Sequence, residues 1–233
     1  MRSETAHPLP ATANDHAPAA RRRPHRAGLA AALSLLACAA WAQGPANTPS
    51  PAGKSELPAV QRAVHVCASC HGDFGRSTHK LYPALAGQTR EYMIRQMKDF
   101  RDQARAETDI QAYMWGISAL LTDEQIEGLA DYYAAQTPLP GKSRNAKLEA
   151  EGKQIFEQGV GDHTVRACTS CHGSNAQGDG AAPRLAGLHA EYVFRQLQAF
   201  KTPLRRHGNV MKSEAMALSD AQMKALAAYV MSK

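Results

Sequence analysis

Aromatic residues are scarce in this chain, at 6% of 233 residues, and the thin core that follows would be thickened by a large buried cofactor. No segment alternates apolar and polar residues over the length of a strand, which argues against a sheet-based fold. No apolar run is long enough to span a bilayer comfortably. The basic residues form no stripe interleaved with aromatics, and about half of the net charge of +6 lies in residues 1–42, so we expect no nucleic-acid partner.

Cysteine occurs five times, and four of these residues belong to a five-residue pattern that the chain contains twice. Residues 67–71 and 168–172 both read C-x-x-C-H, the attachment signature of c-type haem. Two cysteines three positions apart lie on neighbouring faces of one helical turn, so both can form thioether bonds with one edge of a porphyrin. The adjacent histidine then provides an axial bond to iron. The pattern predicts two haem c groups, held by Cys67, Cys70 and His71 in the first copy and by Cys168, Cys171 and His172 in the second.

The first 42 residues resemble a secretory leader. Arginines cluster at residues 21–26, an apolar stretch follows at residues 27–40, and Ala40-Trp41-Ala42 fits the small-x-small rule for signal cleavage. These features predict a soluble periplasmic protein. In the alternative interpretation, Leu35-Leu36-Ala37-Cys38 is a lipobox, and a lipidated Cys38 tethers the protein to a membrane.

The chain repeats itself with a period near 100 residues, which indicates a duplicated domain. Leu-Ala-Gly recurs at residues 85–87 and 185–187, and capping-box patterns recur at Thr122 and Ser219. We expect the following division: residues 1–42 as an N-terminal extension and signal peptide, 43–56 as a flexible lead-in, 57–137 as the first domain, 138–145 as a linker and 146–233 as the second domain.

Each copy is predicted to be helical, with three helices. The first helix is expected at residues 59–70 in one copy and 146–158 in the other. A middle helix is expected at about residues 91–104 and at residues 191–200. The last helix of each copy should begin directly after its capping box.

Each iron has a sixth position for which methionine is the favoured ligand, because its thioether favours reduced iron and changes little between oxidation states. Met114 and Met211 each lie eight residues before the capping residue of their copy, and this shared register makes them the candidates. Core packing is the ordinary alternative role for methionine. Histidines at other positions could instead give iron two imidazole ligands, but they do not align between the copies; they are His65, His79, His163, His189 and His207.

Prolines also occur at matched positions, with Pro83 lying 12 residues after the first motif histidine and Pro183 lying 11 residues after the second. A proline carbonyl can accept a hydrogen bond from the imidazole nitrogen that does not bind iron, which orients the ring and tunes its basicity. A plain turn is the alternative. The paired Arg-Gln steps at residues 95–96 and 195–196 fit contact with haem propionates and solvated helix positions equally well.

These residues resemble the dihaem cytochrome c4 family, a group of class I c-type cytochromes. The supporting strings include CASCHGDFGRS and LTDEQIEGLADYYAAQ from the first copy, and CTSCHGSNAQGDG and ALSDAQMKALAAYV from the second. The resemblance runs from about residue 57 to residue 233. It implies an all-α protein of two tandem cytochrome c domains, each a small helical bundle around one covalently bound haem c with His/Met iron. It further implies a monomer with a pseudo-two-fold axis.

The same resemblance implies a periplasmic electron carrier that takes electrons from a quinol–cytochrome c reductase and passes them to a terminal oxidase. Membrane association would arise through a partner or through Cys38. One alternative is an electron-transfer subunit of a periplasmic dehydrogenase complex, and another is a catalytic dihaem enzyme, which needs an exchangeable iron position. A zinc site at the two C-x-x-C pairs does not explain the histidine that follows each pair. A thioredoxin-like site would need an α/β pattern that is absent.

Overall fold

A computed structural model describes residues 54–106, 109–142, 144–161 and 164–233, and this part of the chain is helical. Residues 1–53, with the expected signal peptide and Cys38, lie outside the described residues. The first copy contains α1 Pro58–His71, α2 Arg90–Arg101, α3 Asp109–Ala119 and α4 Asp123–Ala134. The second copy contains α5 Ala146–Gln158, α6 Thr169–His172, α7 Ala190–Phe200, α8 Asn209–Met216 and α9 Asp220–Met231. None of these helices combines the length and apolar character needed to span a bilayer.

The last helix of each copy starts where its capping box predicts. Thr122 and Ser219 each accept a hydrogen bond from the backbone N–H three residues on. Gln125 and Gln222 complete the two boxes by accepting from the backbone N–H of the capping residue. These reciprocal bonds satisfy backbone donors that a helix start would otherwise leave unpaired. The capping predictions are therefore confirmed.

Each copy has its own small hydrophobic core. In the first copy, α1 and α4 bury Val60, Ile126 and Leu129 to 1% exposure or less. In the second, α5 and α9 bury Phe156 and Met223 to the same degree. Leu129 of the first core and Phe156 of the second also border a cavity between the helices.

The all-α prediction is confirmed, although the expected helix list was incomplete. Helix α5 has the predicted bounds, and α2 ends three residues earlier than expected. Neither α3 nor α8 was predicted, although these two helices carry the candidate methionines. Among the described residues, extended pairing is limited to isolated bridges. The exact domain boundaries stay a prediction.

One of these bridges joins the copies to each other, between Arg105 and Arg205. The N–H of Ala106 donates to the carbonyl of Leu204 at 2.9 Å, and the N–H of Arg206 donates to the carbonyl of Ala104 at 3.1 Å. The paired residues occupy matched positions in the repeat. The two copies therefore meet through equivalent segments, as two related by a pseudo-two-fold axis would.

Candidate haem-binding site

A single cavity of about 720 Å³ extends through both copies. Its wall includes mostly apolar side chains from the helices of each copy. All the sequence-predicted site residues line this cavity: Cys67, Cys70, His71, Pro83, Met114, Cys168, Cys171, His172, Pro183 and Met211. The fold therefore brings the two sets of candidate residues to one continuous space.

The four motif cysteines form no disulfide within the described part of the chain. Burial raises the pKa of Cys67 and raises the pKa of Cys168 to about 11. A redox-active cysteine instead needs a lowered pKa, because the thiolate is the nucleophile. The described residues also contain no cluster of three or more histidine, cysteine or acidic side chains suited to a metal ion. Neither the thioredoxin-like interpretation nor the zinc interpretation gains support.

Each motif histidine donates a hydrogen bond to a proline carbonyl. His71 Nδ1 lies 2.8 Å from the oxygen of Pro83, and His172 Nδ1 lies 2.9 Å from the oxygen of Pro183. Because a carbonyl only accepts, Nδ1 must carry the proton in the neutral ring, and Nε2 keeps a free lone pair for a metal. Burial lowers the pKa of both imidazoles, while the proline carbonyls oppose that shift. Both rings are therefore held in the neutral form that binds iron.

A glycine after each histidine allows the chain to turn back toward its proline. Gly72 ends α1 with φ 75°, and Gly173 ends α6 with φ 77°. These are left-handed conformations that favour glycine. A Cβ on Gly72 would lie 2.6 Å from the carbonyl oxygen of Arg76, so the turn also has no room for a side chain.

The candidate methionines lie on α3 and α8. Met114 and Met211 are both partly buried and both line the cavity. Trp115, the bulky neighbour of Met114, donates its Nε1–H to the carbonyl of Arg105 at 2.7 Å and so ties α3 to the segment between the copies. By contrast, Met216 is 54% exposed and Met223 is fully buried in the second core.

The remaining histidines have other surroundings. His189 Nε2 donates to the carbonyl of Ser77 at 2.9 Å, and His207 Nδ1 donates to a carboxylate oxygen of Asp99 at 2.7 Å. Both bonds cross from the second copy to the first. His79 stacks on a tyrosine ring, and His163 lies outside the described residues.

A polar cluster lies between the copies, and only its glutamines were candidates in the sequence. Arg105 donates to the side-chain oxygens of Gln96 and Gln196, and Arg205 donates to the same two oxygens, at 2.6 to 2.9 Å. All four side chains are buried and line the cavity. The glutamines of the two Arg-Gln steps thus face inward, whereas Arg95 reaches across to the carbonyl of Ala181 at 2.8 Å. The offset of 100 between the two arginines was the available signal.

The residues around the cavity fit a haem in each copy. Tyr133, which is 1% exposed, borders the cavity, and its hydroxyl interacts with the thiol of Cys67. Paired thiols, neutral imidazoles and thioethers in an apolar wall are the donor set of haem c.

Comparison with known proteins gives a consistent result. A family model described as Cytochrome c matches residues 59–135 and 149–233. Cytochrome c-552 of Acidithiobacillus ferridurans is 41% identical over 183 residues, covering 77% of this chain and 79% of the relative. Cytochrome c4 of Thiocapsa roseopersicina is 35% identical over 174 residues, covering 72% of this chain and 88% of the relative.

Two further similarities bear on fold and function. A solved structure of cytochrome c4 from Acidithiobacillus ferrooxidans matches with a TM-score of 0.67 and 40% identity, covering 72% of this chain and 98% of that one. The thiosulfate dehydrogenase electron acceptor of Thiomonas intermedia (strain K12) is 31% identical over 205 residues, covering 85% of each chain.

Proposed function

The chain belongs to the cytochrome c family, in its dihaem cytochrome c4 branch, and from this premise we propose that it shuttles electrons in a periplasmic respiratory chain. Its cofactors are two haem c groups, one for each copy of the domain. The electron donor we propose is a quinol–cytochrome c reductase, and the acceptor is a terminal oxidase. The protein itself is a carrier rather than an enzyme.

Each copy contributes an equivalent set of residues to its haem in this proposal. Two cysteines provide the thioether attachment, a histidine and a methionine provide the two axial ligands, and a proline carbonyl orients the histidine. The set is Cys67, Cys70, His71, Pro83 and Met114 in the first copy, and Cys168, Cys171, His172, Pro183 and Met211 in the second.

The bound haem supplies one-electron redox chemistry, and the chain supplies the surroundings that tune it. The proline carbonyls keep each imidazole in one tautomer and orientation. The apolar wall keeps water away from the irons and lowers the local dielectric. A histidine and a methionine of this chain would hold each iron, so the bound haem would change valence without exchanging a ligand, which is the property required of a carrier.

The observation that carries the proposal is the recurrence of one histidine–proline bond at matched positions on a single cavity. A catalytic dihaem enzyme needs an exchangeable iron position, whereas each copy here has a methionine on the cavity wall. The proposed periplasmic location is supported by the leader-like composition of residues 1–42.

The test begins with the purified protein. We expect two haem c groups per chain and a weak near-infrared sulfur-to-iron band in the oxidised form. After reduction with ascorbate, the protein should be re-oxidised by membranes that contain a terminal oxidase, and a terminal-oxidase inhibitor should prevent this. A colourless chain or a single haem would exclude the dihaem assignment. Failure of re-oxidation would exclude the proposed acceptor.

A second candidate function is that of the electron-accepting subunit of a dehydrogenase. It is favoured by the similarity to the thiosulfate dehydrogenase electron acceptor of Thiomonas intermedia. The oxidised protein would then be reduced rapidly when mixed with a thiosulfate dehydrogenase and thiosulfate, and slowly by a quinol–cytochrome c reductase. The opposite order of rates would favour the respiratory shuttle.

A further inference from the structure

A glutamine of the first copy binds the chain next to the histidine-orienting proline of the second copy. Gln88 is 6% exposed and lies just before α2. Its side-chain oxygen accepts a hydrogen bond from the N–H of Arg184 at 2.7 Å, and its side-chain nitrogen donates to the carbonyl of Arg184 at 3.0 Å. The same oxygen also accepts from the N–H of Thr89 at 3.0 Å. Rotating the amide by half a turn would oppose donors to donors, so these contacts define its orientation.

The N–H of Arg184 belongs to the same peptide unit as the carbonyl of Pro183. That carbonyl is the acceptor for Nδ1 of His172 at 2.9 Å. A continuous chain of hydrogen bonds therefore runs from the imidazole of His172, through one peptide group, to the side chain of Gln88. Hydrogen bonds in such a chain polarise one another, because accepting from the N–H of an amide makes its carbonyl a stronger acceptor.

We propose that Gln88 is a positioning residue for the haem of the opposite copy, strengthening the Pro183–His172 hydrogen bond across the domain contact. This inference rests on the proposed function, in which His172 is an axial ligand. A stronger acceptor at Nδ1 gives the imidazole more anionic character, which raises its basicity and favours iron(III) over iron(II). Gln88 thereby lowers the potential at which the second iron takes up an electron from the redox partner. The step is the one-electron reduction of that iron, and no covalent bond changes.

The matched contact in the other direction lacks this feature. The residue that aligns with Gln88 in the second copy is Leu188, whose side chain has no hydrogen-bonding atom. It belongs to the second core, against which Ala84 of the first copy packs. Ala84 follows Pro83 as Arg184 follows Pro183. Leu188 therefore cannot give the peptide group behind His71 the hydrogen bonds that Gln88 gives the one behind His172. This glutamine therefore acts on the second site and has no matched counterpart for the first.

The test compares two variants of the full haem-loaded protein by redox titration. Gln88→Met keeps the length of the side chain but removes the acceptor, whereas Gln88→Glu retains an acceptor oxygen. We expect Gln88→Met to raise the midpoint of the second haem. At a fixed potential near that midpoint, its ratio of reduced to oxidised iron should rise about threefold, which is less than the roughly tenfold or larger effect of losing a direct partner of a metal-binding histidine. Gln88→Glu should leave the midpoint unchanged or lower it.

The first haem is the internal control, and Met211→His identifies which transition belongs to the second haem. Equal shifts of both transitions in Gln88→Met would indicate a general loosening of the domain contact and would overturn the inference. An unchanged second transition, or a rise with Gln88→Glu as large as that with Gln88→Met, would overturn it too. Failure of the proposed function has a different signature, since wild-type protein would then lack the second haem or its sulfur-to-iron band.

Discussion

Replacing Gly152 with alanine should destabilise the second copy by forcing helices α5 and α9 apart. Gly152 lies in α5 where this helix crosses α9. A Cβ placed on Gly152 would lie 2.0 Å from the carbonyl oxygen of Ala225, 2.5 Å from its carbonyl carbon and 2.8 Å from Cβ of Tyr229. The first two of these atoms are backbone, so no side-chain rotation relieves the contact.

The size of the effect follows from the distance that must be gained. Ordinary contact begins at 3.4 Å, so α5 and α9 would have to separate by roughly 1.4 Å at this point. Overpacking of a well-filled core costs about 1–3 kcal/mol, and a clash with backbone belongs at the upper end. Alanine regains about 1 kcal/mol through its higher helix propensity. The net loss is then about 2 kcal/mol, which lowers Tm by roughly 4–8 °C in a domain pair of this size.

Thermal unfolding of the haem-loaded protein, followed by far-ultraviolet circular dichroism, measures this loss. Gly116→Ala is the matched control, because a Cβ on this helical glycine of α3 would have no neighbour within 4 Å. We expect that control to leave Tm unchanged or to raise it by a few degrees. An unchanged Tm for Gly152→Ala, or an equal fall for both variants, would refute the close-packing argument.

Two further predictions concern the axial ligands and pH. Met114→His and Met211→His should each remove half of the near-infrared sulfur-to-iron band. Each should also lower one midpoint potential by on the order of 0.1 V, within the roughly 0.8 V range that axial ligands span. Met216→His, a control at an exposed side chain, should change neither the band nor the midpoints. Lowering the pH through about 6.5, the pKa of histidine in the unfolded chain, should reduce Tm. The unfolded chain then binds protons that the folded chain does not, because burial lowers the pKa of His71 and His172. A Tm that stays level or rises between about pH 7 and pH 5 contradicts this sign.

The features that the sequence predicted well are local or repeated. The capping boxes at Thr122 and Ser219 involve residues only three apart, so their chemistry is visible in a short window. The prolines at 83 and 183 were identified because duplication gives each position two independent occurrences. A single copy would have offered a turn proline and nothing more.

The helices that carry the methionines were missed because apolar residues of both helices face the cavity, where the sequence offers no facing protein side chains to predict. In helix α3, Tyr113, Met114 and Ile117 line the cavity, and Tyr113 and Ile117 are 75% and 42% exposed. Helix α8 is short and likewise exposes Val210. These helices border the cavity, so their position depends on tertiary contact rather than on amphipathic pattern. Gln88 was missed for a related reason, since its partner is 96 residues away.

Duplication has given the two sites equivalent candidate ligands and different surroundings, and the difference can be traced to single positions. Ile117 and Glu214 align in the repeat, three residues after the two candidate methionines. Ile117 is 42% exposed beside the first site, whereas Glu214 accepts hydrogen bonds from the backbone and the guanidinium of Arg166 beside the second. An apolar rim and an ion pair impose different electrostatic fields on an iron within the same ligand set. A difference in midpoint potential between the two irons therefore requires no difference in ligation. Redox titration should show a smaller difference when Arg166 and Glu214 are replaced by histidine and isoleucine, the residues at the aligned positions 65 and 117 of the first copy.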